Sequence, residues 1–127
     1  MDKLIINGNI KTPDVSFDHE KGQFEIGGRS IPENAVDFYK PIYEWLDDYV
    51  KFPAAKTELD IKLGYFNTSS SKCLLDVFKK VEYLTKNNKG QVTVNCYYEE
   101  DDEDMLDAGE DYDIINIPFN FVSVEEL

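Results

Sequence analysis

Three kinds of residue are scarce in this chain, and each scarcity narrows what it can be. Among 127 residues only Cys73 and Cys96 carry thiols, with no CxxC spacing and no cluster of further metal ligands. A zinc ribbon or a thioredoxin-type centre is therefore not expected, and both cysteines read as reduced packing residues. Histidine is scarcer still: His19 is the only one. It falls in an expected hairpin, and no serine or cysteine has a nucleophile-elbow context, so a Ser-His-Asp or Cys-His enzyme is not expected either.

Basic residues are the third shortage, with 13 Lys and Arg against 26 Asp and Glu and a formal net charge of −13. Such a surface repels nucleic-acid phosphates and anionic lipid headgroups, so no nucleic acid partner and no membrane insertion are expected. No apolar run approaches the roughly 18 residues of a membrane-spanning helix, and MDKLIING lacks the apolar centre of a secretory leader. The expected location is the cytoplasm. Gly27, Gly28 and Arg29 are followed by no Gly-Lys-Ser or Gly-Lys-Thr, so they read as a backbone bend or bulge rather than a phosphate loop.

What is present suffices for a core. Hydrophobic residues make up 42% of the chain and aromatics 13%, well above a disordered acidic tail, and the length fits one domain over residues 1–127. Leu4 to Ile6 reads as a short strand, and Asp14 to His19 and Gln23 to Ile26 as two strands joined by a turn containing Gly22. Ser30, Pro32 and Glu33 supply helix-start chemistry, and Ala35, Phe38, Tyr39, Ile42, Trp45, Leu46 and Tyr49 recur near the helical period. Pro41 interrupts that pattern and is expected to kink or split the helix. A strand over Thr57 to Phe66, a helix over Ser69 to Asn87 and a strand over Val92 to Tyr98 follow. A short helix over Asp101 to Gly109 and a final strand or two within Ile114 to Val122 complete the series. Strands alternating with helices require parallel pairing. The expected fold is therefore α/β: a mixed, mostly parallel sheet with antiparallel N-terminal strands and about three helices.

The most informative segment is YFNTSSSKCLL, Tyr65 to Leu75. Alternating Leu59, Ile61, Leu63 and Tyr65 lead into it, and Leu74, Val77, Phe78, Val81 and Leu84 lead out at helical spacing. The hydroxyls Thr68, Ser69, Ser70 and Ser71, flanked by Asn67 and Lys72, thus occupy a strand-to-helix junction. Unpaired amides and the positive end of the helix dipole favour an anion there. Thr68 at or near the N-cap has two readings, a plain cap or a phosphorylated hydroxyl, and the residues alone leave both open.

A second constellation is EEDDEDMLDAGED, nine carboxylates within Glu99 to Asp111. The EF-hand pattern fails for lack of the central glycine and the spaced ligands before it. Glu99, Glu100, Asp101, Asp102, Glu103 and Asp104 read as an acidic rim or as a helix start that favours carboxylates. A divalent-metal-binding protein or a metal-dependent enzyme using these carboxylates is the rival reading. Loops after parallel strands gather at one sheet edge, so Thr68 and this run are expected on a shared rim.

Phe24 to Tyr49, Tyr65 to Phe78 and Tyr97 to Tyr112, taken together and in this order, resemble the SiaC family of bacterial regulatory phosphoproteins. The resemblance implies a non-catalytic domain similar to the STAS fold, without a cofactor, in which Thr68 is phosphorylated. It also implies a cognate kinase, a PP2C-like phosphatase, and a target engaged by the unmodified protein. In the best-known branch that target is a diguanylate cyclase, which links the module to cyclic di-GMP and biofilm signalling.

Overall fold

Strict alternation of side chains along the central strand sets the architecture. Thr57, Leu59, Ile61 and Leu63 are buried, whereas between them Glu58 is exposed and Asp60 and Lys62 are half-buried, so one face of this strand meets a core. The computed structural model describes residues 2–102 and 118–127. Within them lie β1 (Leu4–Ile6), β2 (Asp14–Asp18), β3 (Gln23–Ser30), α1 (Ala35–Tyr49), β4 (Lys56–Phe66), α2 (Thr68–Lys86), β5 (Gln91–Glu99) and β6 (Phe119–Val124).

Among the described residues the sheet is six-stranded, and its spatial order β1-β2-β3-β4-β5-β6 is the chain order. The pairs β1–β2 and β2–β3 are antiparallel, and β3–β4, β4–β5 and β5–β6 are parallel. This is the expected mixed sheet. Tyr39, Ile42, Leu46 and Tyr49 of α1 and Leu74, Val77, Phe78, Val81 and Leu84 of α2 share one core with Phe17, Phe24, Ile26, Leu59, Leu63 and Val94 of the sheet. Phe24 is its aromatic hub, with ring centroids 4.7 Å from Phe17, 5.2 Å from Trp45 and 4.8 Å from Tyr49. The helices are joined at their surface by Lys80 Nζ to Asp47 at 2.6 Å. The tie continues where the Tyr43 hydroxyl donates to the Cys73 carbonyl at 3.2 Å.

Four details depart from the sequence expectations. Ser30 does not start α1 but ends β3; the N-cap is Asn34, whose side chain accepts from the Asp37 amide. Pro41 does not split α1. It is exposed, so the carbonyl it leaves without a partner faces water while buried residues on the opposite side hold the helix together. The bulge beside Gly28 draws its extra residue from β4: Gly28 pairs with Leu63 and Arg29 with Tyr65, leaving Gly64 over. Among the described residues the helices are two rather than about three, and most of the expected Asp101 to Gly109 helix lies outside them.

The sheet face opposite the helices is polar. The Asn95 amide donates to Glu58 at 2.8 Å and to Asp60 at 2.9 Å, and its oxygen accepts from Asn120 at 3.0 Å. Lys62 pairs with Glu25 at 2.9 Å, and that hydrogen bond raises its pKa.

Candidate functional site at the start of α2

The bulge at Gly64 prepares the site. It resets the inside-outside alternation of β4, so Gly64 and Tyr65 are both exposed and Phe66 turns back to pack against the core. The chain then enters α2 through Asn67, whose amide donates to the Ser30 carbonyl at 3.0 Å. Its extended backbone (φ −84°, ψ 175°) is that of an N-cap, and its side-chain oxygen accepts from the Ser70 amide at 2.8 Å. Asn67, not Thr68, is therefore the cap. Threonine caps about as readily, so it is the extended backbone at position 67, followed by helical backbone from Thr68, that assigns the cap.

That cap frees Thr68 from a structural duty. Thr68 and Ser69 are exposed in the first turn, as is Lys72, and Ser71 is half-buried. Ser70 behaves differently. It is fully buried, accepts from the Ser30 hydroxyl at 2.8 Å and donates to the Ser30 carbonyl at 2.9 Å. Since these two serines have each committed their single proton, the Tyr39 hydroxyl donates to Ser30 across their 2.7 Å contact. Of the four consecutive hydroxyls, one is thus part of the interior. Ser30 and Tyr39 escaped the sequence reading, although Ser30 shares its inward parity on β3 with the apolar Phe24 and Ile26.

β3, β4 and β5 run parallel, so their C-terminal ends share an edge, and the start of α2 and the loop after β5 both lie there. Glu99, Glu100 and Asp101 are exposed and Asp102 is half-buried. The Glu100 amide donates to Val124 at 2.9 Å, and the Asp102 amide donates to Glu99 at 2.9 Å. Glu103, Asp104 and the rest of the run to Asp111 lie outside the described residues. Among the described residues no three His, Cys, Asp or Glu side chains are placed to hold a metal ion, and no helix is long and apolar enough to cross a membrane. Both cysteines are free thiols. Burial pushes the Cys96 thiol up to about 12, and burial followed by the hydrogen bond to Cys73 raises the Tyr43 phenol.

The site is thus a capped helix start with an exposed hydroxyl at the parallel edge of a mixed sheet. The chain belongs to the SiaC family of regulatory phosphoproteins, whose sequence pattern matches residues 6–124; it is a regulator and not an enzyme. An uncharacterized protein of Pseudomonas aeruginosa (strain UCBPP-PA14) is 27% identical over 112 residues, 88% of each chain. SiaC of Pseudomonas aeruginosa superposes with a TM-score of 0.88 at 25% identity, covering 98% of this chain and 100% of that one. The crystal structure of diguanylate cyclase SiaD in complex with its activator SiaC, from the same organism, contains a matching chain. Its TM-score is 0.88 at 25% identity, over 95% of this chain and 99% of that one.

Proposed function

We propose that this chain is a phosphorylation-switched activator of a diguanylate cyclase, with Thr68 as the acceptor. The observation that carries the reading is the division of labour in the first turn of α2. Asn67 does the capping and Ser70 is buried, which leaves Thr68 exposed with no structural task. A cognate kinase adds the phosphate, a PP2C-like phosphatase removes it, and the unmodified form binds the cyclase. The SiaC family membership and the SiaC–SiaD complex support this cycle.

The mechanism is electrostatic. A phosphate adds about −1.5 to −2 charges at neutral pH. The amide end of α2 and Lys72 stabilise it, while Glu99 to Asp102 at the same sheet edge repel it. A partner surface complementary to the neutral hydroxyl loses contact with the charged one. The expected change in affinity is about 5 to 150-fold, the usual span of a regulatory coupling. The acidic rim, with Asn67, Ser69, Ser71 and Lys72, forms the docking surface, and the module works in the cytoplasm on cyclic di-GMP output.

Intact-mass measurement after incubation with ATP and the cognate kinase tests the acceptor. One phosphate is expected on the wild-type chain and none on Thr68→Ala; a phosphate retained by that variant rejects the assignment. Calorimetric titration of the cyclase with modified and unmodified protein tests the switch, and equal affinities reject it.

A further inference from the structure

The first turn of α2 is fastened to β3 more firmly than a helix start requires. One cap satisfies an N-terminus, yet here the Ser30 carbonyl receives both the Asn67 amide at 3.0 Å and the Ser70 hydroxyl at 2.9 Å. The Ser30 hydroxyl in turn reaches Ser70 at 2.8 Å, and the Tyr39 hydroxyl of α1 closes the chain at 2.7 Å. Ser30, Tyr39 and Ser70 are all at 0% exposure. Apolar side chains of similar volume would fill this space without any cost of burying hydroxyls. What hydroxyls add is direction, because a hydrogen bond fixes an angle as well as a distance. The two residues so fastened, Asn67 and Ser70, bracket Thr68 and Ser69.

We infer that the buried chain Tyr39–Ser30–Ser70 aims Thr68: Ser30 and Ser70 are positioning residues for phosphoryl transfer, locking the first turn of α2 in one orientation on the end of β3. The inference rests on Thr68 as the acceptor. Transfer requires the attacking hydroxyl in line with the breaking phosphorus–oxygen bond of ATP. The Thr68 oxygen forms the new bond to the γ-phosphorus, ADP leaves with the electron pair, and the threonine proton passes to the kinase's base. A rigid first turn presents that oxygen in one place, whereas a rocking turn presents it in many. Joining the turn to Tyr39 also ties its orientation to α1.

The decisive variant is Tyr39→Phe/Ser30→Ala/Ser70→Ala, which removes every hydroxyl together. Both ends of each hydroxyl–hydroxyl bond among the three are removed and the Ser30 carbonyl keeps the Asn67 amide, so the urea midpoint should stay nearer wild type than in a single variant. Single Ser70→Ala takes away the acceptor of the Ser30 proton, leaving the Ser30 oxygen only its Tyr39 contact, and should be the less stable protein. In the triple variant kcat for Thr68 phosphorylation by the cognate kinase should fall about 10 to 100-fold with KM within about twofold, as expected for a misplaced rather than unbound substrate. Hydrogen exchange at the amides of Ser69 to Ser71 should quicken by about tenfold or more, as in a locally opened segment. Wild-type kcat in the triple variant, or unchanged exchange at those amides, overturns the positioning role and leaves the acceptor standing. Absence of phosphate on wild-type Thr68 removes the acceptor itself, and the role in transfer goes with it.

Discussion

The side-chain oxygen of Asn67 holds the Ser70 amide at 2.8 Å, so the residue before the exposed threonine, and not the threonine, caps the helix. Asn67→Ala should therefore cost about 1 kcal/mol. Thr68→Ala, touching no such feature, should stay within about 0.5 kcal/mol. Urea unfolding of the two variants checks this. A larger loss for Thr68→Ala would make that hydroxyl structural.

The aromatic hub gives a second expectation. Phe24 is 2% exposed and stacks or meets edge-on three other rings, so Phe24→Ala should destabilise by about 3 to 5 kcal/mol. Tyr65→Ala, at 51% exposure, should cost less than about 1 kcal/mol. Thermal unfolding in parallel ranks them, and a reversed order would contradict the described core.

Cys96 supplies a pH signature. Burial raises its thiol from 9.0 to about 12, so the folded state favours the neutral form. The stabilisation is complete below the unfolded value and is lost as pH rises through the folded one. Between about pH 9 and 12 stability should fall, with a slope of up to about 1.4 kcal/mol per unit from this group. Cys96→Val, which cannot ionise, should fall less steeply by that amount. Parallel slopes would show that the thiol ionises equally in both states.

On the polar sheet face, Asn95 donates to two carboxylates, Glu58 and Asp60. Asn95→Asp would set a third carboxylate against them and should destabilise by about 2 kcal/mol at neutral pH, with recovery on acidification through the carboxylate range. A loss independent of pH would point to packing instead.

The sequence made the sheet legible through the alternation of Leu59, Ile61 and Leu63, and it made both long helices legible through their spacing. The fastening of the site was not legible. Asn67 and Thr68 are both good caps, and only the backbone angles distinguish them. The role of Ser30 depends on a partner 40 positions away, Ser70, and no local pattern marks such a contact. The apolar parity of β3 pointed Ser30 inward, but a serine two residues before Pro32 reads equally well as helix-start chemistry. Of the two effects expected of Pro41 the split does not occur, because its place on the exposed side of α1 is a tertiary property that spacing alone does not give.

Strand order equal to chain order has a consequence for how the protein is made. Among the described residues each strand hydrogen-bonds only to its neighbours in sequence, so none of these strands waits for a distant one before finding its place. Domains fold as units from the N-terminus during synthesis, and this sheet can be laid down in the order in which the ribosome delivers it. The first turn of α2 then closes onto a β3 that is already seated. Pulse-labelled exchange should show protection on β3 and β4 no later than on β6; the reverse order would mean that the sheet assembles from its other edge.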